Sequence, residues 1–71
     1  MKLREIIFIV EDNPDGGYTA QALGESIFTE GDTIEAIKEN VKDALRCHFD
    51  ENEIPAYVRL HIVREERFAY A

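Results

Sequence analysis

Residues 31–49 read GDTIEAIKENVKDALRCHF, and this stretch decides the fold because no other segment sustains a helical period. Asp32 has the chemistry of an N-cap, and Glu35 three residues later completes a capping-box pattern. Each would satisfy a backbone donor that the first helical turn leaves free. At about 100° per residue, Ile34, Ile37, Val41, Ala44, Leu45, His48 and Phe49 fall on one face, the predicted core face. Glu35 with Lys38, Glu39 with Lys42 and Asp43 with Arg46 repeat an i,i+3 pairing on the opposite face. Between these faces Ala36, Asn40 and Cys47 form a narrow, small and uncharged flank that a second element could approach closely. Residues 50–53 end the helix, and Pro55 prevents its return.

Upstream of the helix the chain reads as short strands. Residues 3–11 predict a strand, and Ile6-Ile7-Phe8-Ile9-Val10 is apolar on both faces, the pattern of a central strand covered on both sides. A single helix covers one face only, so the other calls for the C-terminal segment or a second copy of the chain. Asn13-Pro14-Asp15-Gly16-Gly17 is dense turn signal and should close a hairpin onto residues 18–23. Tyr18, Ala20 and Ala22 then point one way and Thr19, Gln21 and Leu23 the other. After a second turn at residues 24–26, Ile27-Phe28-Thr29 predicts a short edge strand. Downstream, residues 57–63 alternate as a half-buried strand, with Val58, Leu60 and Ile62 inward and Tyr57, Arg59 and His61 outward. Arg64-Glu65-Glu66-Arg67 is a charged break before Phe68 and Tyr70.

The fold class is therefore α+β, β-β-β-α-β, a small antiparallel-rich sheet with one helix on one face. Residues 1–63 make the single domain, and 64–71 a short C-terminal segment able to supply an extra strand or a dimer contact. With 71 residues, a single core is near the limit of sufficiency, which favours self-association. One cysteine, Cys47, allows no internal disulfide and suits a reducing, cytoplasmic setting. No basic, apolar leader opens the chain and no apolar run approaches the roughly 20 residues that span a bilayer, so neither export nor membrane insertion is expected.

The formal charge is −7, which disfavours nucleic-acid binding, since that affinity rests on Lys and Arg neutralising phosphates. A basic protein partner fits better. The acidity is concentrated: residues 1–32 hold seven carboxylates against Lys2 and Arg4, whereas residues 54–71 hold Arg59, Arg64 and Arg67 against Glu65 and Glu66.

Glu11, Asp12 and Asp15 could serve as metal ligands or as a general acid/base pair. Turn geometry alone also selects Asp and Asn at a hairpin tip, and the fixed offsets and closing Glu of a calcium loop are absent. His48 adjoins Cys47, but neighbours on a helix diverge by about 100°, and His61 points outward from its strand. No cofactor or metal is expected. Gly16-Gly17 leads into a strand with no following Lys, unlike a phosphate-binding loop. Exposed aromatics lack the intervening basic residues of a base-stacking platform.

Asp15-Gly16-Gly17-Tyr18, Ile27-Phe28-Thr29, and Glu30-Gly31-Asp32-Thr33-Ile34-Glu35-Ala36-Ile37 followed by Asn40, Val41 and Ala44 resemble, in order and spacing, the HicB-like antitoxin family. The resemblance spans roughly residues 3–63. It implies a partial ribonuclease-H-like fold without that fold's catalysis, and a role in neutralising a small basic HicA-type toxin that cleaves mRNA with a catalytic histidine. Active ribonuclease-H relatives need a carboxylate in the middle of the first strand, where this chain has Ile7, Phe8 and Ile9. Many relatives also carry a C-terminal DNA-binding domain, and residues 64–71 are too short for one, so autorepression is not expected. Residues 23–26 lack the proline that often follows the second strand in the family.

The expected function is thus a non-catalytic interaction domain of antitoxin type. Its partner-binding candidates are Glu11, Asp12, Asp15, Tyr18 and Glu25. Gly16, Gly17, Gly31, Asp32, Thr33 and Glu35 are the structural residues of the family motif. Ile6, Phe8, Ala36, Asn40, Cys47, Phe68 and Tyr70 are candidate contacts of a homodimer or higher oligomer. The alternatives are an orphan homo-oligomeric domain without a toxin partner and a metal-dependent hydrolase using the hairpin carboxylates.

Overall fold

The computed structural model describes residues 5–70. Strand β1 (Glu5–Asp12) turns into β2 (Tyr18–Ala22), then β3 (Phe28–Gly31), helix α1 (Ile34–His48), a 3-10 turn at Glu51–Glu53 and β4 (Tyr57–Val63). The expected order β-β-β-α-β is present. The four strands form one mixed sheet in the order β3-β2-β1-β4. β1 pairs antiparallel with β2 and parallel with β4, and β2 pairs antiparallel with β3. The expected first strand began at Leu3, which, with Arg4, lies outside the described residues.

Register assigns the two faces. Phe8 lies opposite Ala22 and Leu60, and Val10 opposite Ala20 and Ile62, so these side chains share the helix-facing side. Ile6, Phe8, Val10, Ala20, Ala22 and Ile27 are buried there beneath Ile37, Val41 and Leu45. Phe8 is completely buried, so Ile6 and Phe8 belong to the chain's own core and not to an oligomer surface. The outward side of β1 is formed by Ile7 and Ile9, both half-buried.

The helix begins one residue later than the sequence pattern suggests. Thr33 is the N-cap: its Oγ1 accepts a hydrogen bond from the Ala36 N–H at 3.0 Å. Glu35 is consequently the second helical residue, where its charge favours the helix dipole, and the capping box built on Asp32 does not form. Of the expected i,i+3 pairs, Glu39 with Lys42 and Asp43 with Arg46 are made. Among the described residues, Glu35 and Lys38 do not come within ion-pairing distance.

The main departure concerns β4. α1 lies against β2 and β3, which leaves the helix-facing side of β4 short of cover. Leu60 is half-buried, but Val58 is 38% and Ile62 49% exposed. The alternation read from the sequence is correct in direction, while burial on that side is incomplete.

Phe8→Ala should lower the unfolding free energy by about 3–5 kcal/mol in urea titration followed by circular dichroism. Ile7→Ala should cost clearly less, and equal losses would contradict the face assignment.

Candidate functional site

Two turns and the helix entry meet at one end of the sheet. Residues 13–17 form the β1–β2 turn, in which the Gly16 N–H donates to the Asn13 carbonyl at 3.0 Å and the Asn13 N–H to the Gly17 carbonyl at 2.9 Å. Gly16 and Gly17 adopt φ of 102° and 80°, the left-handed region that glycine enters without a Cβ penalty. A Cβ on Gly17 would lie 3.2 Å from the Gly31 carbonyl oxygen, and one on Gly31 would lie 3.1 Å from both the Ala36 Cβ and the Ile37 nitrogen. The motif glycines thus let the hairpin, the end of β3 and the first turn of α1 touch backbone to backbone.

Asn40 completes this junction: its Nδ2 donates to the Glu30 carbonyl at 2.6 Å, tying α1 to β3. The small flank of the helix is therefore used within the chain at Ala36 and Asn40, where β3 is the element that approaches. Cys47, on the same flank, is exposed and free.

The partner-binding candidates separate into two groups. Glu11 and Asp12 at the end of β1 and Asp15 in the turn are exposed together at the hairpin end. Glu11 and Asp12 line a cleft with Asn13, Pro14 and Val63, and its opposite wall is Glu65, Glu66 and Arg67. Glu65 and Glu66 were not foreseen as part of this surface, because residues 64–67 read only as a charged break. Their position follows from the parallel pairing of β4 with β1, which brings Val63 opposite Glu11.

Tyr18 does not join this group as a surface residue: it is half-buried and packs against the core. Glu25 lies near the opposite end of the sheet, in the turn after β2, where its Oε2 is 3.2 Å from His48 Nε2. His48 sits at the rim of the helix's apolar face, stacked edge-on against Phe49, and not within the core. Among the described residues, no group of three or more His, Cys, Asp or Glu side chains is placed to hold a metal ion.

The sheet face away from α1 forms a second surface. It carries Ile7, Ile9, Leu23, Phe28, Tyr57 and Val63 by register, and Leu23, Phe28 and Tyr57 are exposed. Arg59 crosses it to Glu5 at 3.1 Å. No helix among the described residues is long and apolar enough to cross a membrane.

Comparison with known proteins gives two strong matches. A UPF0150 protein of Archaeoglobus fulgidus is 56% identical over 54 residues, covering 76% of this chain and 80% of the relative. One from Thermotoga maritima is 46% identical over 66 residues, covering 93% of both. The chain belongs to the UPF0150 family. No protein-family profile and no solved structure matches it. The name UPF0150 states a family and no activity, so the chemistry must be argued from the surface just described.

Gly31→Ala should destabilise this UPF0150 chain by about 1–3 kcal/mol, the cost of overpacking a close contact, as read by chemical denaturation. An unchanged midpoint would show that the junction yields freely.

Proposed function

We propose that this UPF0150 chain is a non-catalytic binding protein of antitoxin type that captures a small basic protein, of the HicA-like mRNA-cleaving class, at its acidic hairpin end. The observation that carries the proposal is that Glu11 and Asp12 face Glu65 and Glu66 across a cleft that Arg67 also lines, with Asp15 exposed in the adjoining turn. Among the described residues none of these five carboxylates has an ion-pair partner within the chain. Unpaired surface carboxylates of one sign raise the local potential, steer a basic partner and disfavour nucleic acid. Masking a basic RNA-binding surface would then suffice for neutralisation, with no bond broken by the antitoxin itself.

The hairpin is well suited to this task because its backbone is held by the glycine junction and by the Asn40 bond, so little ordering is required on binding. The resemblance to HicB-like antitoxins supports the same reading through the motif residues Gly16, Gly17, Gly31 and Thr33, whose structural work is visible in that junction. The adjoining open sheet face supplies the apolar area that charge alone would lack.

The reading expects a gene for a small basic protein beside this one: co-expressing that protein with this chain should yield a complex and relieve the growth arrest it causes, and the absence of such a gene would contradict the reading. Charge reversal at Asp12 and Asp15 should slow association at least tenfold at low salt and flatten its salt dependence, measured by stopped-flow or surface binding. Glu25→Lys, at the other end of the sheet, should leave the rate nearly unchanged. Equal effects from both would contradict a hairpin-directed encounter.

A further inference from the structure

The outer edge of β4 combines three features. β4 is an edge strand, so one row of its backbone donors and acceptors is free for pairing. Beside it runs an apolar trough, floored by Val41, Val58 and Leu60 and continuing past Val58 to Ile54 and Pro55. Residues 64–70 leave the end of β4 exposed throughout, in no helix or strand, with Phe68 88% and Tyr70 101% exposed.

We infer that two copies of this chain exchange these segments: residues 64–70 of each add antiparallel to the β4 edge of the other, seating Phe68 and Tyr70 in the trough. Side-chain parity supports it. Val58, Leu60 and Ile62 face the helix because they lie opposite Ile6, Phe8 and Val10, and an extended continuation of β4 puts residues 64, 66, 68 and 70 on that same side. A two-fold axis perpendicular to the sheet keeps both helices on one side, so like parity meets like. The register centred on Arg64 sets Phe68 opposite the partner's Leu60 and Tyr70 opposite the partner's Val58. A register centred on Leu60 would pair β4 with itself and leave both aromatics beyond the strand.

The occupant is a second copy and not the same chain folding back. Return along its own β4 edge would need a tight turn directly after Val63, and Arg64-Glu65-Glu66-Arg67 contains no Gly, Pro, Asn or Asp. Charge is divided: the register centred on Arg64 sets the two Arg64 side chains opposite one another, and each also lies diagonal to the partner's Glu66, a pair made twice by symmetry that offsets the repulsion. Area agrees. Four aromatic rings at roughly 150–250 Å² each bury roughly 600–1,000 Å² before the trough they cover is counted, against about 1,000 Å² for a specific interface. The exchange rests on the β4 edge and not on the toxin reading, although the two share residues 65–67, since Glu65 and Glu66 also line the acidic cleft.

Light scattering on the full chain should give twice the single-chain mass. Phe68→Ala with Tyr70→Ala should weaken the dimer at least tenfold, as expected for central aromatic anchors, while the chain stays folded by circular dichroism because neither ring belongs to the single-chain core. In a Cys47→Ser background, Arg64→Cys should form an interchain disulfide under mild oxidation, since the two copies meet there within disulfide range. Arg67→Cys should not, being roughly 20 Å from its symmetry mate. A monomeric wild type, a dimer that survives the double aromatic variant, or cross-linking at 67 in place of 64 would each overturn the inference.

Discussion

A helix is about 10–12 Å across, whereas four strands at about 4.8 Å spacing span more than 14 Å. One helix therefore cannot cover one face of this sheet, let alone both. α1 settles over β2 and β3 because Ile37, Val41 and Leu45 find Phe8, Val10 and the small Ala20 and Ala22 beneath them. The glycine junction and the Asn40 bond hold its first turns against the end of β3. That choice buries the core and, by the same geometry, leaves Val58 and Ile62 on β4 and the whole opposite face without cover.

The uncovered regions are chemically distinct. The hairpin end is acidic, the β4 trough apolar and flanked by a free strand edge, and the far face mixed, with Ile7, Ile9 and Phe28 around the Arg59–Glu5 pair. As proposed, charge would direct a basic protein to the hairpin and backbone pairing would direct a second copy to the β4 edge, the two surfaces meeting at residues 65–67. For UPF0150 chains of this length, association offers apolar burial that the single-chain core does not supply.

The element order, the central position of β1, the edge position of β3 and the bounds of β4 were all legible, since each rests on local period or turn chemistry. The helix start was misplaced by one residue because Asp32 and Thr33 are both competent caps, and only the backbone shows which one accepts from Ala36. The assignment of Ile6 and Phe8 to an outer surface failed for a related reason: a strand apolar on both faces does not say which parity the helix takes. Glu25 could not be separated from Glu11, Asp12 and Asp15 by composition, because the meander that carries it to the far end of the sheet is a tertiary fact. The contribution of Glu65 and Glu66 to the acidic cleft depends on the parallel β1–β4 pairing, which no local pattern encodes. Ala36 and Asn40 were rightly seen as a close-approach flank, and what approaches is β3.

Amide hydrogen exchange of the full chain, free and mixed with a small basic HicA-type protein, tests the proposed function most directly. Slowed exchange concentrated in residues 11–17, with the solvent-facing side of α1 unchanged, is the predicted result. Protection confined to α1, or no difference at the hairpin, would contradict it.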